Sequence, residues 1–142
     1  MMAGLRLPRE RVSGIVSISG VCDLEIHEPD KRFQFNPASF WGRAASRAEL
    51  EAASPKRLVK AGQPPILCTH CPLDDVVGIE HSRNLVARCK ELGAEAELFE
   101  YERPLDGHCL WRPNSKPHRL FPEIEDAIAR FALKLGHGGR RT

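Results

Sequence analysis

Apolar residues along the chain fall into short strand-like runs and longer stretches with helical spacing. Residues 12–19 form a β-branched run bounded by glycine, and Ile66–His70 follow a proline pair and begin with three apolar residues. Residues 94–102 alternate in part between apolar and polar side chains. Runs of about four to eight such residues, bounded by turn formers, are typical of strands. The pattern therefore predicts three strands.

Two stretches repeat apolar residues at the three- and four-residue spacing of an amphipathic helix. Glycine directly after the last apolar position favours a helix end there. The first helix is predicted after the second strand and ends at Gly93, with apolar positions at Val77, Leu85, Val86, Cys89 and Leu92. The second ends at Gly136, with apolar positions at Leu120, Phe121, Ile124, Ala127, Ile128, Phe131 and Leu135.

Two further features predict short helical segments before the second strand. Arg47–Ala53 consists of good helix formers. Ser54-Pro55 has the form of a helix start, because proline is tolerated at the first helical position.

The order of elements is strand, long insert, strand, helix, strand, helix. Helices between consecutive strands indicate an α/β fold, with a mostly parallel sheet, flanking helices and right-handed crossovers. Residues 21–54 are interpreted as a lid-like insert, because a structureless loop of that length in a compact domain is usually functional. Residues 137–142 are predicted to be a disordered tail. The whole chain, residues 1–142, is thus one domain.

Composition excludes several classes of function. The 21 Lys and Arg residues are nearly balanced by 19 Asp and Glu residues, and the net charge of +2 gives no reason to expect a nucleic-acid partner. No run of about 18 apolar residues is present, so no membrane span is expected. The odd count of five cysteines favours reduced thiols and a cytoplasmic location, and leaves open an export signal upstream of the chain.

Two polar positions follow neighbouring strands of the predicted sheet. Asp74 and Asp75 come shortly after the strand at 66–70, and His108 follows the strand at 94–102. Ligands of open α/β sheets bind at the carboxyl ends of the strands, so a carboxylate and an imidazole are expected to meet there. A carboxylate that accepts from Nδ1–H of a histidine leaves Nε2 free to act as a general base.

The residues around these positions resemble motifs of the α/β-hydrolases, in particular esterases and lipases. Residues 64–77 resemble the strand and acid turn of that family, with His70 at its histidine and Asp74 at its acid. Gly107-His108 is similar to the dipeptide that carries the catalytic histidine. Ser19-Gly20-Val21-Cys22-Asp23-Leu24 and Ser54-Pro55 resemble stretches of the BD-FAE or kynurenine formamidase-like group. Cys71 departs from the family's usual glycine.

The resemblance implies the C-terminal half of an α/β-hydrolase fold, truncated at its N-terminus, and a serine hydrolase of carboxylic esters or related acyl bonds. Asp74 would be the triad acid and His108 the triad histidine, and the substrate would be a small-molecule ester. No metal and no organic cofactor is implied. Residues 1–11 would correspond to the end of the helix after the nucleophile.

The nucleophile itself is missing from this pattern. The family carries its serine in a Gly-x-Ser-x-Gly elbow, and no such string occurs in the 142 residues. Ser17 and Ser19 lack the required glycines. We therefore expect a fragment that is inactive by itself; the alternative is a non-catalytic remnant that serves as a binding or assembly module. The strand at 13–19 would then be an exposed sheet edge, open to aggregation or homodimerisation.

Purely structural roles are alternatives to these functional ones. Asp74 could cap the helix that follows it, and Asp75 could be the acid instead or complement the helix dipole. His70 is interpreted as a structural residue at the end of its strand. Cys68 and Cys71 form a Cys-x-x-Cys pair near His81 and Cys89. Cys68 and His70 lie inside a predicted strand, where residues alternate between faces, and no second ligand pair occurs at zinc-site spacing, so a metal or redox site is not favoured.

Overall fold

A parallel three-stranded sheet forms the centre of the molecule. The computed structural model describes residues 1–26, 42–102, 108, 112, 117 and 119–138. The strands are β1 (Ile15–Ile18), β2 (Ile66–His70) and β3 (Ala96–Glu100). β2 lies in the middle, and both pairings are parallel. The predicted α/β class, with a parallel sheet and flanking helices, is confirmed.

The central strand is buried along its whole length because it is paired on both edges and covered on both faces. All five residues of β2 are buried. Strands of a parallel sheet with helices on both faces are expected to consist of nearly continuous apolar residues, and Ile66, Leu67 and Cys68 fit that expectation. Register places Ile66 between Ile15 and Ala96, so the three strands run side by side from the same level.

Helices surround the sheet. The α-helices are α1 (Met2–Arg6), α2 (Arg47–Ala53), α3 (Glu80–Glu91) and α4 (Pro122–Gly138). α2 has a capping box in which Ser46 and Glu49 each accept a hydrogen bond from the other's backbone. A 3₁₀ helix, Pro55–Leu58, starts at the predicted Ser54-Pro55.

Two apolar clusters lie on the two faces of the sheet, as alternation along β2 requires. One cluster contains Leu5 of α1, Leu85 and Cys89 of α3, and Ile66 and Cys68 of the central strand. The other cluster lies under α4 and contains Cys71, Tyr101 and Ile124, with Phe99 and Ile128 packed against them. The sheet is therefore a layer between α1 and α3 on one side and α4 on the other.

Several predicted boundaries differ from the structure. β1 is shorter than residues 12–19, and α3 begins at Glu80, well after Val77. The N-cap of α3 is Ile79, so Asp74 does not cap that helix and Asp75 does not lie in its first turn. Residues 71–79 instead form a separate turn between β2 and α3.

The C-terminal helix also extends further than expected. It continues through Gly136 to Gly138, because a single glycine in a helix costs only about 1 kcal/mol relative to alanine and does not end it. Residues 137 and 138 are therefore helical, which corrects the predicted start of the disordered tail. Residues 139–142, and residues 27–41 of the predicted lid-like insert, lie outside the described part of the chain.

Alanine substitutions at Gly14 and at Gly136 are predicted to change the free energy of unfolding in opposite directions. A Cβ atom at Gly14 would lie 2.4 Å from Cδ1 of Leu135 and 3.0 Å from Cε1 of Phe131. Gly14→Ala is therefore expected to lower the free energy of unfolding by about 1 kcal/mol through overpacking. A Cβ atom at Gly136 would have no heavy atom within 4 Å, so Gly136→Ala should raise the free energy of unfolding by about 0.5–1 kcal/mol. Urea unfolding of both variants measures the two signs, and a stabilised Gly14→Ala would contradict the packing of α4 against this end of the sheet.

Candidate active site

The carboxyl ends of β2 and β3 bring together the two side chains that the sequence singled out. Asp74 follows β2 and His108 follows β3, and His108 Nδ1 lies 2.9 Å from Oδ2 of Asp74. Asp74 is fully buried, whereas the His108 side chain is 37% exposed. The predicted contact between the two side chains is therefore present, across a separation of 34 residues in the chain.

The position of Asp74 is set by a tight turn directly after the central strand. Its Oδ1 accepts hydrogen bonds from the backbone N–H groups of Val76 and Val77, each at 2.9 Å. Its own N–H donates to the carbonyl of Cys71 at 3.1 Å. The same pair of contacts can start a helix, but here they close a turn, because α3 begins only at Glu80.

The second carboxylate oxygen, Oδ2, faces two imidazole rings. His108 Nδ1 lies at 2.9 Å and His70 Nε2 at 3.4 Å. Burial raises the pKa of the Asp74 carboxyl, but hydrogen bonds from His70, Val77, His108 and Val76 outweigh it and hold the pKa below its usual range. The acid is therefore ionised at neutral pH although it is buried.

The His70 ring, next to Asp74, has contacts at both of its nitrogens. Its Nδ1 lies 2.7 Å from Oγ of Ser82 in α3, and its Nε2 lies 3.0 Å from the carbonyl oxygen of Val77. The ring is fully buried. The interpretation of His70 as a structural residue did not include its contact with Asp74. The signal was a polar ring at the end of an apolar buried strand, where it must find hydrogen-bond partners.

The geometry at His108 suits proton transfer. Because Oδ2 of Asp74 is an ionised acceptor, Nδ1 of His108 carries the proton of their hydrogen bond. The other ring nitrogen, Nε2, has no hydrogen-bond partner among the described residues. An imidazole with this tautomer can accept a proton at Nε2 while the carboxylate stabilises the resulting imidazolium.

Ser17, within β1, and Ser19, directly after it, contact other side chains than His108. Oγ of Ser17 lies 3.8 Å from Sγ of Cys22, and Oγ of Ser19 lies 3.4 Å from the hydroxyl of Tyr101. Both serines are buried, and neither makes a hydrogen bond to His108. Ser19 has a φ of 42°, a conformation that is uncommon outside glycine and belongs here to the turn at the end of β1. Cys109 lies outside the described residues.

The cysteines give no support to thiolate chemistry. Cys22, Cys68, Cys71 and Cys89 are free and buried. Burial raises the pKa of the Cys22 thiol to about 11, and it raises the pKa of Cys68 and of Cys89 as well. These thiols stay protonated, and a protonated thiol is a poor nucleophile and metal ligand. Within the described ranges, no group of three or more His, Cys, Asp or Glu side chains could hold a metal ion.

Comparison with known proteins supports the architecture by structure rather than by sequence. No family model matches the chain, and no curated protein matches it. Esterase 2 of Thermogutta terrifontis, phosphonylated by sarin, superposes with a TM-score of 0.61 at 19% identity, over 87% of this chain and 43% of its own. The carboxylesterase Cest-2923 of Lactobacillus plantarum superposes with a TM-score of 0.61 at 18% identity, over 87% and 45%.

A third solved structure is a truncated form of a carbohydrate esterase from gut microbiota. It superposes with a TM-score of 0.53 at 26% identity, over 63% of this chain and 33% of its own. The chain thus spans less than half the length of each of these structures. These neighbours are α/β-hydrolase esterases, and the fold of this chain is that of part of an α/β-hydrolase. None of the described helices has the length and apolar character needed to cross a membrane.

Removing the charge of Asp74 is expected to destabilise the fold in a pH-dependent way. Asp74→Asn loses ionic hydrogen bonds and turns an amide toward the donor on His70, and should cost roughly 1.5–3 kcal/mol near pH 7. The pKa of Asp74 is lower in the folded than in the unfolded chain, so its charge stabilises the fold above the unfolded value of about 3.9. That contribution is lost as the pH falls below this value, and the difference between parent and variant should shrink.

Urea unfolding of both proteins over this pH range measures the difference. Asp75→Asn is the matched control, because Asp75 is the exposed neighbour and its substitution should change stability by no more than about 0.5 kcal/mol. A penalty for Asp74→Asn that stays constant down to acid pH would show that the charge of Asp74 is not what stabilises the turn.

Proposed function

We propose that Asp74 and His108 are the acid and the histidine of a catalytic triad in a serine hydrolase. The observation that carries the proposal is the 2.9 Å contact between His108 Nδ1 and a buried, ionised Asp74 at the carboxyl edge of the sheet. Esterases of Thermogutta terrifontis and Lactobacillus plantarum have the same fold. The proposed reaction is hydrolysis of a small-molecule carboxylic ester or a related acyl bond.

The residues of this chain would act on the proton of the nucleophile. A serine hydroxyl attacks the ester carbonyl, and Nε2 of His108 takes up the proton that the hydroxyl loses. The alkoxide of the ester then leaves with that proton, and water repeats the sequence to release the acid and restore the serine. Asp74 keeps Nδ1–H oriented and stabilises the imidazolium during both steps.

The nucleophile is proposed to come from a polypeptide segment that is not among these 142 residues. The sequence contains no Gly-x-Ser-x-Gly string, and the esterases of the same fold are more than twice as long as the part that this chain covers. The acid and the histidine without a serine lose nearly all of the rate, since triad residues act as a unit. The chain by itself is therefore proposed to be inactive.

The absent elbow also supports a second candidate, a non-catalytic remnant that serves as a binding or assembly module. The two candidates differ in what happens when the missing segment is supplied. A hydrolase regains ester cleavage, whereas a remnant folds with the segment and stays inert.

The activity of the chain is expected to depend on an added nucleophile segment. The 142 residues alone should not hydrolyse p-nitrophenyl acetate above the level of free imidazole. Extension by the upstream reading frame, or by the first half of a structurally similar esterase, should restore turnover that phenylmethylsulfonyl fluoride blocks. In the restored protein His108→Ala should abolish turnover, and Asp74→Asn should reduce kcat by up to about 10⁴-fold because the histidine adopts the wrong tautomer.

The control for these variants is Asp75→Asn, which should keep the restored activity. Turnover by the unextended chain that disappears in His108→Ala would reveal a nucleophile within it, with Ser17, Ser19 and Cys109 as the first residues to substitute. A restored protein that folds but never cleaves the ester would favour the remnant.

We also propose that the free edge of β1 associates with a second copy of the chain. The N–H of Ile15 donates to the carbonyl of Pro65, directly before β2, at 2.8 Å, and the N–H of Ser19 donates to the carbonyl of Thr69 in β2 at 2.9 Å. Backbone groups alternate in direction along a strand, so those of Val16 and Ile18 face away from β2, and no other strand pairs with them in the described part of the chain. Val16 is 38% exposed, and β1 carries no charged side chain that would oppose pairing.

Association through β1 is expected to be removed by a charge on that edge. The parent chain should form a concentration-dependent dimer or aggregate in sedimentation velocity, and Val16→Lys should shift it to monomer. Leu133→Lys is the matched control, because Leu133 is an exposed apolar residue of α4 rather than of the edge, and should leave association unchanged. A parent chain that stays monomeric at all concentrations would refute the edge proposal.

A further inference from the structure

A line of three buried side chains runs from α3 to the acid. Oγ of Ser82 lies 2.7 Å from Nδ1 of His70, and Nε2 of His70 lies 3.4 Å from Oδ2 of Asp74. All three side chains have no exposed surface. Burying these polar side chains costs free energy unless each one has hydrogen-bond partners. The three residues therefore have a role that apolar residues in their place would not fill.

The tautomer of His70 follows from its neighbours. Nε2 faces the carbonyl oxygen of Val77 at 3.0 Å and the carboxylate of Asp74. Both are acceptors, so Nε2 carries a proton and donates it. In the neutral ring Nδ1 is then an acceptor, and the partner at 2.7 Å is the Ser82 hydroxyl, which can donate. Ser82 thereby satisfies the ring nitrogen of His70 that faces away from the acid.

The turn that carries Asp74, residues 71–79, is held by two hydrogen bonds at Val77. The N–H of Val77 donates to Oδ1 of Asp74 at 2.9 Å, and the carbonyl of Val77 accepts from His70. His70 ends β2, so the turn is tied at Val77 both to its own aspartate and to the buried end of the central strand. Movement of Asp74 away from His108 would have to break one of these ties.

We propose that Ser82 and His70 are a positioning pair, which locks the acid turn and holds Oδ2 of Asp74 where His108 needs it. The inference rests on the proposed function for its catalytic meaning, since it assigns a role behind the same site. Neither residue touches a substrate or a reacting atom. The pair acts through Asp74, and its loss loosens the hydrogen bond between Asp74 and His108.

The test uses nuclear magnetic resonance on the isotope-labelled full chain and needs no enzymatic activity. The variants are His70→Leu and the milder Ser82→Ala, and the readout is exchange of the His108 Nδ1 proton with water. Both variants should accelerate this exchange at least about tenfold, the factor that corresponds to loss of an ordinary hydrogen bond. In His70→Leu the pKa of Asp74, followed by its carboxyl carbon, should also rise toward the ordinary value of about 3.9 because one donor is gone.

Two matched controls separate positioning from general softening of the core. Thr69→Val removes a buried hydroxyl of the same strand that has no hydrogen-bond partner among the described residues, and His81→Leu removes another buried imidazole, adjacent to Ser82 in α3. Both should leave the His108 exchange rate and the Asp74 titration unchanged, whatever they do to the melting temperature. If the controls accelerate exchange as much as the variants do, or if folded Ser82→Ala exchanges like the parent, the positioning role is overturned.

The outcomes also separate this inference from the proposed function. Accelerated exchange in Ser82→Ala, together with a restored protein that cleaves no ester, would keep the positioning pair and remove the hydrolase. Unchanged exchange, together with a restored and active hydrolase, would keep the hydrolase and remove the pair.

Discussion

The carboxylate of Asp74 is fully buried, and a buried charge is tolerated only where donors surround it. Two backbone N–H groups bind Oδ1 and two imidazole rings face Oδ2. Each donor restricts a different part of the molecule. The N–H groups fix the turn after β2, His70 ties that turn to the central strand, and His108 is drawn in from the segment after β3. Local structure around the site is thus arranged by the need to satisfy one charge.

This arrangement distributes rigidity unevenly between the two site residues. Asp74 is held by its own turn and, through His70 and Ser82, by β2 and α3, which both contribute buried residues to one of the apolar clusters. His108 is 37% exposed and contacts Asp74 through a single nitrogen. A general base must turn between an incoming and a leaving group, whereas the acid that orients it must stay in place. The firmer hold on Asp74 than on His108 suits their proposed roles as orienting acid and general base.

The sheet and the site pair were predictable because their signals are local. Ile66–His70 begins with three apolar residues, follows a proline pair and has the bounds of the observed strand, and Asp74 and His108 follow strands whose carboxyl ends share an edge. The turn at 71–79 was not predictable, because α3 has no side-chain cap to mark its start and Ile79 occupies the N-cap. The contact between His70 and Ser82 joins residues 12 positions apart, a spacing that belongs to no periodic motif and becomes visible only when α3 packs on β2.

The two edge strands of the sheet differ in charge, so the edge of β1 is more open to pairing with a further strand than the edge of β3 is. β3 carries Glu97 and Glu100, which form ion pairs with Lys134 of α4 and Arg83 of α3, and charged, helix-bound edges resist further pairing. β1 is Ile-Val-Ser-Ile, with no charge and a half-exposed valine. Because the acid follows β2 and the histidine follows β3, a nucleophile that joins them from an added strand would arrive beyond β1. The edge proposed to associate with a second copy and the edge at which the proposed nucleophile segment would add are therefore the same edge.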